Sequence, residues 1–303
     1  MMGVLAGIED ATGFDLRECD YYVGTSAGAI VAAHLVAGQS PRRPSSVGSE
    51  VEVPATRRPA DGLAAAGLAA ARRAGAWALA AAATFAPLAL GLAAPGGAVA
   101  RTLLLRRLPR PKARLTDLRR NIERMAPRFD GRLRVTAVDR GSGRRVVFGS
   151  PGAPRAGVAE AVEASCTVPW LFAPVEIGGR EYVDGGVWSP TNLDVAPAGR
   201  DTHVLCLNPT ASLPATSSVL AAIRRVSRTA VSVEALVLRR RGAAVRMLAP
   251  SAECAEAMGT NFMDREPSGR VLAAGYRQGL AFVTASAPAV RTRPQPSLPR
   301  PQP

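Results

Sequence analysis

Ser26 stands in Gly24-Thr25-Ser26-Ala27-Gly28. Tyr21 to Val23 ahead of it are aromatic and β-branched, and Ala27 to Ala37 behind it are small and aliphatic. The first segment predicts a short strand and the second a helix. A serine between a strand and a helix, with glycine two residues to either side, is a nucleophile elbow. The turn is sharp and strained, so side chains at positions 24 and 28 are expected to collide with neighbouring backbone. It lifts the Ser26 hydroxyl above the sheet edge. It also aims the first N–H groups of the helix, Ala27 foremost, at an oxygen that becomes negative during attack. The chemistry this serves is acyl transfer through a serine ester.

A nucleophilic serine needs a base, and the sequence offers two kinds. Asp184 lies in Tyr182-Val183-Asp184-Gly185-Gly186, at the end of an expected strand. Gly185 and Gly186 permit a tight turn that would hold the carboxylate against a hydroxyl on an adjacent strand end. With a reference pKa of about 3.9, an aspartate is ionised at neutral pH and able to accept a proton. The other kind is histidine, of which there are 2. His34 is two turns past Ser26 on the same helix and points away, which makes it structural. His203 follows Asp184, and a Ser26–Asp184–His203 triad would keep the chain order of α/β-hydrolases. Against that triad, few residues precede Ser26, and His203 opens a strand instead of sitting on a late loop.

The elements that must position these groups can be read along the chain. Val4, Leu5 and Ile8 predict a helix ending near Thr12-Gly13. Leu115–Met125 is a polar amphipathic helix. Leu133–Asp139 and Arg145–Phe148 form a hairpin about Gly141-Ser142-Gly143. Val158–Ser165 is a helix, and Val175–Ile177 and Glu181–Val183 form a second hairpin. Thr202–Leu207 is a buried strand, Val219–Arg240 a long helix, Val245–Leu248 a short strand and Leu272–Phe282 a last helix. Alternation of strands and helices predicts an α/β fold with a mostly parallel central sheet flanked by helices.

Residues 39–111 read as an insertion. Gly38–Pro59 is rich in Pro, Ser, Gly and Arg, and residues 74–100 carry no charge. That uncharged run is long enough to span a membrane. Its alanine content and its Pro87, Pro95 and Gly96-Gly97 interruptions favour one or two helices capping the site or lying at an interface. Residues 286–303, rich in Pro and Arg, are expected to be a disordered tail on a single domain of residues 1–285.

The net charge is +14, and 37 of the 38 basic residues are arginine, because Lys112 is the one lysine. Aromatics make up 5% and do not interleave with the arginines, which argues against specific nucleic-acid binding. Anionic lipid headgroups remain an electrostatic fit. Cys19, Cys166, Cys206 and Cys254 are far apart and form no C-x-x-C pair, so free thiols in a reducing compartment are expected, with neither disulfides nor a zinc site. The first ten residues lack a basic and apolar leader pattern. A cytoplasmic location, with possible association to a membrane face, follows as the expectation.

Gly24-Thr25-Ser26-Ala27-Gly28 followed far downstream by Asp184-Gly185-Gly186 resembles the patatin-like phospholipases. Gly3 to Asp10 resembles the helix ahead of that family's elbow. Ala164-Ser165-Cys166-Thr167-Val168-Pro169 and Phe172-Ala173-Pro174-Val175 resemble the segment before its aspartate. Ser189-Pro190-Thr191-Asn192-Leu193-Asp194 resembles the segment after it. The resemblance implies a three-layer architecture with a helical cap insertion and a Ser26–Asp184 dyad that uses no histidine. Ser26 would attack an ester carbonyl of a phospholipid or other acyl lipid, Asp184 would take its proton, and no cofactor or metal would be needed. Family members open with a strand and a glycine-rich loop that supplies the oxyanion hole. No such loop precedes Ser26 here, leaving the Ala27 N–H. Two readings of that difference stand as expectations: a natural chain that continues upstream and is active, or an inactive, membrane-peripheral relative.

Overall fold

The structure, a computed structural model, describes residues 1–44, 97–212, 218–259 and 268–285. Its elements run α1 (Met2–Thr12), β1 (Tyr22–Gly24), α2 (Ala27–Val36), α3 (Gly97–Arg107), α4 (Thr116–Met125), β2 (Leu133–Asp139), β3 (Arg145–Phe148), α5 (Val158–Cys166), β4 (Val175–Ile177) and β5 (Arg180–Asp184). There follow β6 (His203–Leu207), α6 (Ser218–Arg240), β7 (Ala244–Leu248), α7 (Ala252–Met258) and α8 (Ser268–Thr284). The hairpins at Gly141–Gly143 and Gly178–Gly179 form as the turn residues dictate. The proposed loop and most of the cap, residues 45–96, and the tail, residues 286–303, lie outside the described residues.

The fold is α/β, in three layers. Leu133, Val135 and Ala137 of β2 alternate onto one face and meet Ala29, Ala32, Ala33, Ile122 and Val162 from α2, α4 and α5. On the other face Val138 and Val183 pack against Leu105 of α3. Sheet direction departs from the expectation. β1 pairs parallel to β2, but β2–β3, β2–β5 and β4–β5 are antiparallel, so the five-stranded sheet is mixed. For β2–β3 and β4–β5 the reason is local, because a short glycine turn returns the chain at once and a parallel neighbour would need a crossover, whereas β5 meets β2 from a distant part of the chain. A true crossover appears later, where α6 joins the parallel pair β6–β7.

The register of β2 matters most for function. β3 pairs along residues 135–138 of β2 and takes one edge. β1 pairs with residues 133–135 and β5 with residues 137–139, so both must share the other edge. They approach from opposite directions, and their C-terminal residues, Gly24 and Asp184, end to either side of Thr136.

α1 and α8 close the molecule. Gly3 and Gly7 of α1 face Gly275 and Gly279 of α8, and a methyl group added at Gly3, Gly7 or Gly279 would overlap the backbone of the facing helix. The helices therefore touch backbone to backbone. Leu5, on another side of α1, enters the main core with Leu16 and Tyr22.

Candidate active site

Ser26 has φ 51° and ψ −121°, a conformation that L-residues rarely adopt. Holding it costs on the order of 1–3 kcal/mol, and such strain is kept where surrounding contacts over-determine it. Three contacts do so. The Ser26 N–H donates to the Ser165 hydroxyl at 2.9 Å, and the Gly28 N–H donates to the Thr25 carbonyl at 2.9 Å. Gly24 brings the third: a Cβ there would overlap the backbone of Gly28 and Ala29, so strand and helix meet without a side chain between them. Gly28 differs from the expectation. A Cβ at that position meets open space, so its glycine is not required by a collision. The Ala27 N–H occupies the first helical position, where no intrahelical acceptor exists, and Ala27 is exposed.

Asp184 is the last residue of β5 and is 5% exposed. Its Oδ1 accepts the Gly186 N–H at 2.7 Å, which caps the helical turn Gly185–Val187. Gly185 has no room for a side chain, because a Cβ would overlap Thr136 on the neighbouring strand. Burial pushes the Asp184 carboxyl up to about 6, against the pull of the Gly186 N–H and of a hydrogen bond from the Ser26 hydroxyl. Serine and aspartate, far apart in sequence, thus meet where β1 and β5 end against each other. A carboxylate with its pKa near neutrality is well matched to moving a proton.

Several neighbours of this pair escaped the sequence reading. Cys166, at the end of α5, has its thiol pushed well above the ordinary range by burial and by the Asp184 charge, with a Ser26 hydrogen bond pulling the other way. It stays protonated beside the pair. Thr136 fills the gap between the strand ends, its hydroxyl 2.8 Å from that of Thr25. Asn192 is fully buried in a left-handed conformation with φ 49°. Its Nδ2 donates to the Thr25 hydroxyl at 3.1 Å, the Gly185 carbonyl at 3.2 Å and the Ser189 carbonyl at 2.7 Å. Ser165 and Asn192 sit inside segments whose resemblance was visible. What was missing was the register that turns them inward.

The histidines do not join this pair. His34 contacts the Ile30 carbonyl one turn back on its own helix, as a structural residue does. His203 is exposed at the first residue of β6, in the second sheet, whereas Asp184 is buried with Gly186 and Ser26 as its partners. The Ser26–Asp184–His203 triad is therefore not assembled. Cys19, Cys166, Cys206 and Cys254 are free thiols in the structure. Among the described residues no cluster of His, Cys, Asp and Glu could hold a metal. Among them, too, no helix is long and apolar enough to cross a membrane.

Comparison with curated proteins finds no match. The family model for patatin-like phospholipase does match, over residues 1–197, a span that contains the elbow, the Asp184 turn and Asn192. With most of its length matched, including both halves of the site, the chain belongs to the patatin-like phospholipase family.

Proposed function

We propose that this protein is a serine lipid acyl hydrolase that works through a Ser26–Asp184 dyad and an acyl-enzyme. Asp184 accepts the proton of the Ser26 hydroxyl as its oxygen attacks the ester carbonyl. The tetrahedral oxyanion lies at the N-terminus of α2, where the Ala27 N–H and the helix dipole favour negative charge. Collapse expels the alcohol, to which Asp184 returns its proton. Water, deprotonated by the same carboxylate, then attacks the acyl-enzyme, and Asp184 returns that proton to the Ser26 oxygen as the fatty acid leaves. The observation that carries this reading is the convergence of two strand ends on one edge of β2, with a strained serine on one and a buried aspartate on the other.

The substrate fits a lipid surface. Val99 and Leu103, one turn apart on α3, are exposed, and Arg106 and Arg107 follow in its last turn. Such a face favours peripheral contact with anionic bilayers.

A fluorophosphonate probe tests the chemistry. Labelling should map to Ser26, disappear in Ser26→Ala and Asp184→Asn, and persist in His203→Ala. Labelling that survives Asp184→Asn but not His203→Ala would overturn the dyad.

A further inference from the structure

We infer that Asn192 is a positioning residue that fixes the separation of Ser26 and Asp184, and that Glu234 of α6 holds Asn192 in place; the inference rests on the dyad reading above. Asn192 joins the two halves of the site through a single buried amide. Thr25, which accepts from its Nδ2 at 3.1 Å, is the residue before Ser26. Gly185, whose carbonyl accepts at 3.2 Å, is the residue after Asp184. No helix or strand runs from the elbow to the Asp184 turn, since β1 and β5 merely end against each other on β2. The amide therefore bridges the junction between the two strand ends, alongside Thr136. Its Oδ1 is occupied as well, accepting from the Arg145 guanidinium at 3.1 Å. That guanidinium also forms two bonds to Asp194, each 2.7 Å, so the amide cannot rotate without breaking charge-assisted contacts.

Asn192 is the left-handed residue of its loop, and a further clamp on that loop comes from outside the family-matched span. Oε2 of Glu234, on α6, accepts the Thr191 hydroxyl at 2.6 Å and the Leu193 N–H at 2.7 Å. These bonds grip the residues on either side of Asn192. Glu234 is 9% exposed, so its bonds are shielded from water. The chain of contact runs from Glu234, through Thr191 and Leu193, to Asn192, and from there to both reactive segments.

This predicts a loss in the chemical step and not in binding. Kinetics on a soluble short-chain p-nitrophenyl ester and fluorophosphonate labelling rates separate the two, with Tm measured alongside. Asn192→Ala, Asn192→Asp and Thr25→Val should each lower kcat by about 10- to 100-fold with KM within about twofold, because small misplacements of reacting groups are that costly. The double variant Asn192→Ala/Thr25→Val should be slower by clearly less than the product of the two single losses, since the Thr25–Asn192 bond is removed in both. Glu234→Ala should lower kcat similarly. Glu234→Gln should recover most of it, because a carboxamide oxygen still accepts both bonds. If Asn192→Ala fails to fold, Thr25→Val tests the same bond from the other end. Wild-type labelling rates in Asn192→Ala and Thr25→Val, or additive losses in the double variant, would overturn the inference while leaving the dyad standing. Absence of any Ser26 labelling in the wild type would overturn both.

Discussion

Two regions of this molecule use glycine to bring backbones into contact, and they use it to opposite ends. At the site, Gly24 and Gly185 let a strand end meet a helix and a turn meet Thr136, and the space gained is spent on a strained serine and a buried carboxyl. At the seam of α1 and α8, Gly3, Gly7 and Gly279 bring the backbones of two helices into direct contact. The site stores unfavourable conformation and charge burial. The seam stores only packing. Replacing the buried carboxyl at the first should cost chemistry and even raise stability, whereas substitutions at the second should cost stability and leave the chemistry of folded molecules intact.

The largest contrast is expected at Asp184. Asp184→Asn should lower ester hydrolysis by about 10³- to 10⁴-fold, as removal of a catalytic base does. It should also raise stability at pH 7 by roughly 1–2 kcal/mol, measured as a urea midpoint. The sign follows from the carboxyl holding its proton up to about 6 in the fold, against 3.8 outside it. Its stabilising contribution is present below about pH 4 and lost as pH rises through about 6. A less stable Asp184→Asn would break the comparison.

The seam gives the mirror image. Gly279→Leu should cost about 2–4 kcal/mol, because its side chain meets the Val4 carbonyl and the Gly7 backbone with no space to yield. Labelling of the fraction that remains folded should be unchanged. Below pH 6 the labelling rate of the wild type should fall about tenfold per unit as Asp184 gains its proton, and above it the rate should level off. The smallest effect sharpens the account of the elbow. Gly24→Ala should destabilise and inactivate, while Gly28→Ala, entering open space, should change Tm by no more than about 1–2 °C.

Much of this was legible in the sequence, and the reasons are specific. Leu133–Asp139, Arg145–Phe148 and Val175–Ile177 fall where alternation and glycine turns put them. Ser26 and Asp184 announced themselves through glycine spacing. α7 was missed because Cys254 is its one fully buried side chain, too little for a periodic signal. The mixed sheet was missed because strand direction is set by which edge of β2 each partner takes, a tertiary choice. Thr136 and Asn192 were unreadable for the same cause: nothing in their types says that two strand ends converge on them. The seam was hidden in a different way. Gly3 and Gly7 share the four-residue spacing of Gly275 and Gly279, but the two pairs lie near opposite ends of the chain.

That last placement has a consequence for synthesis. α1 leaves the ribosome well before α8, because most of the described elements lie between them in the chain. Until α8 follows, the glycine face of α1 has no helix against it, so the seam closes only after the segments carrying Ser26 and Asp184 have both been made.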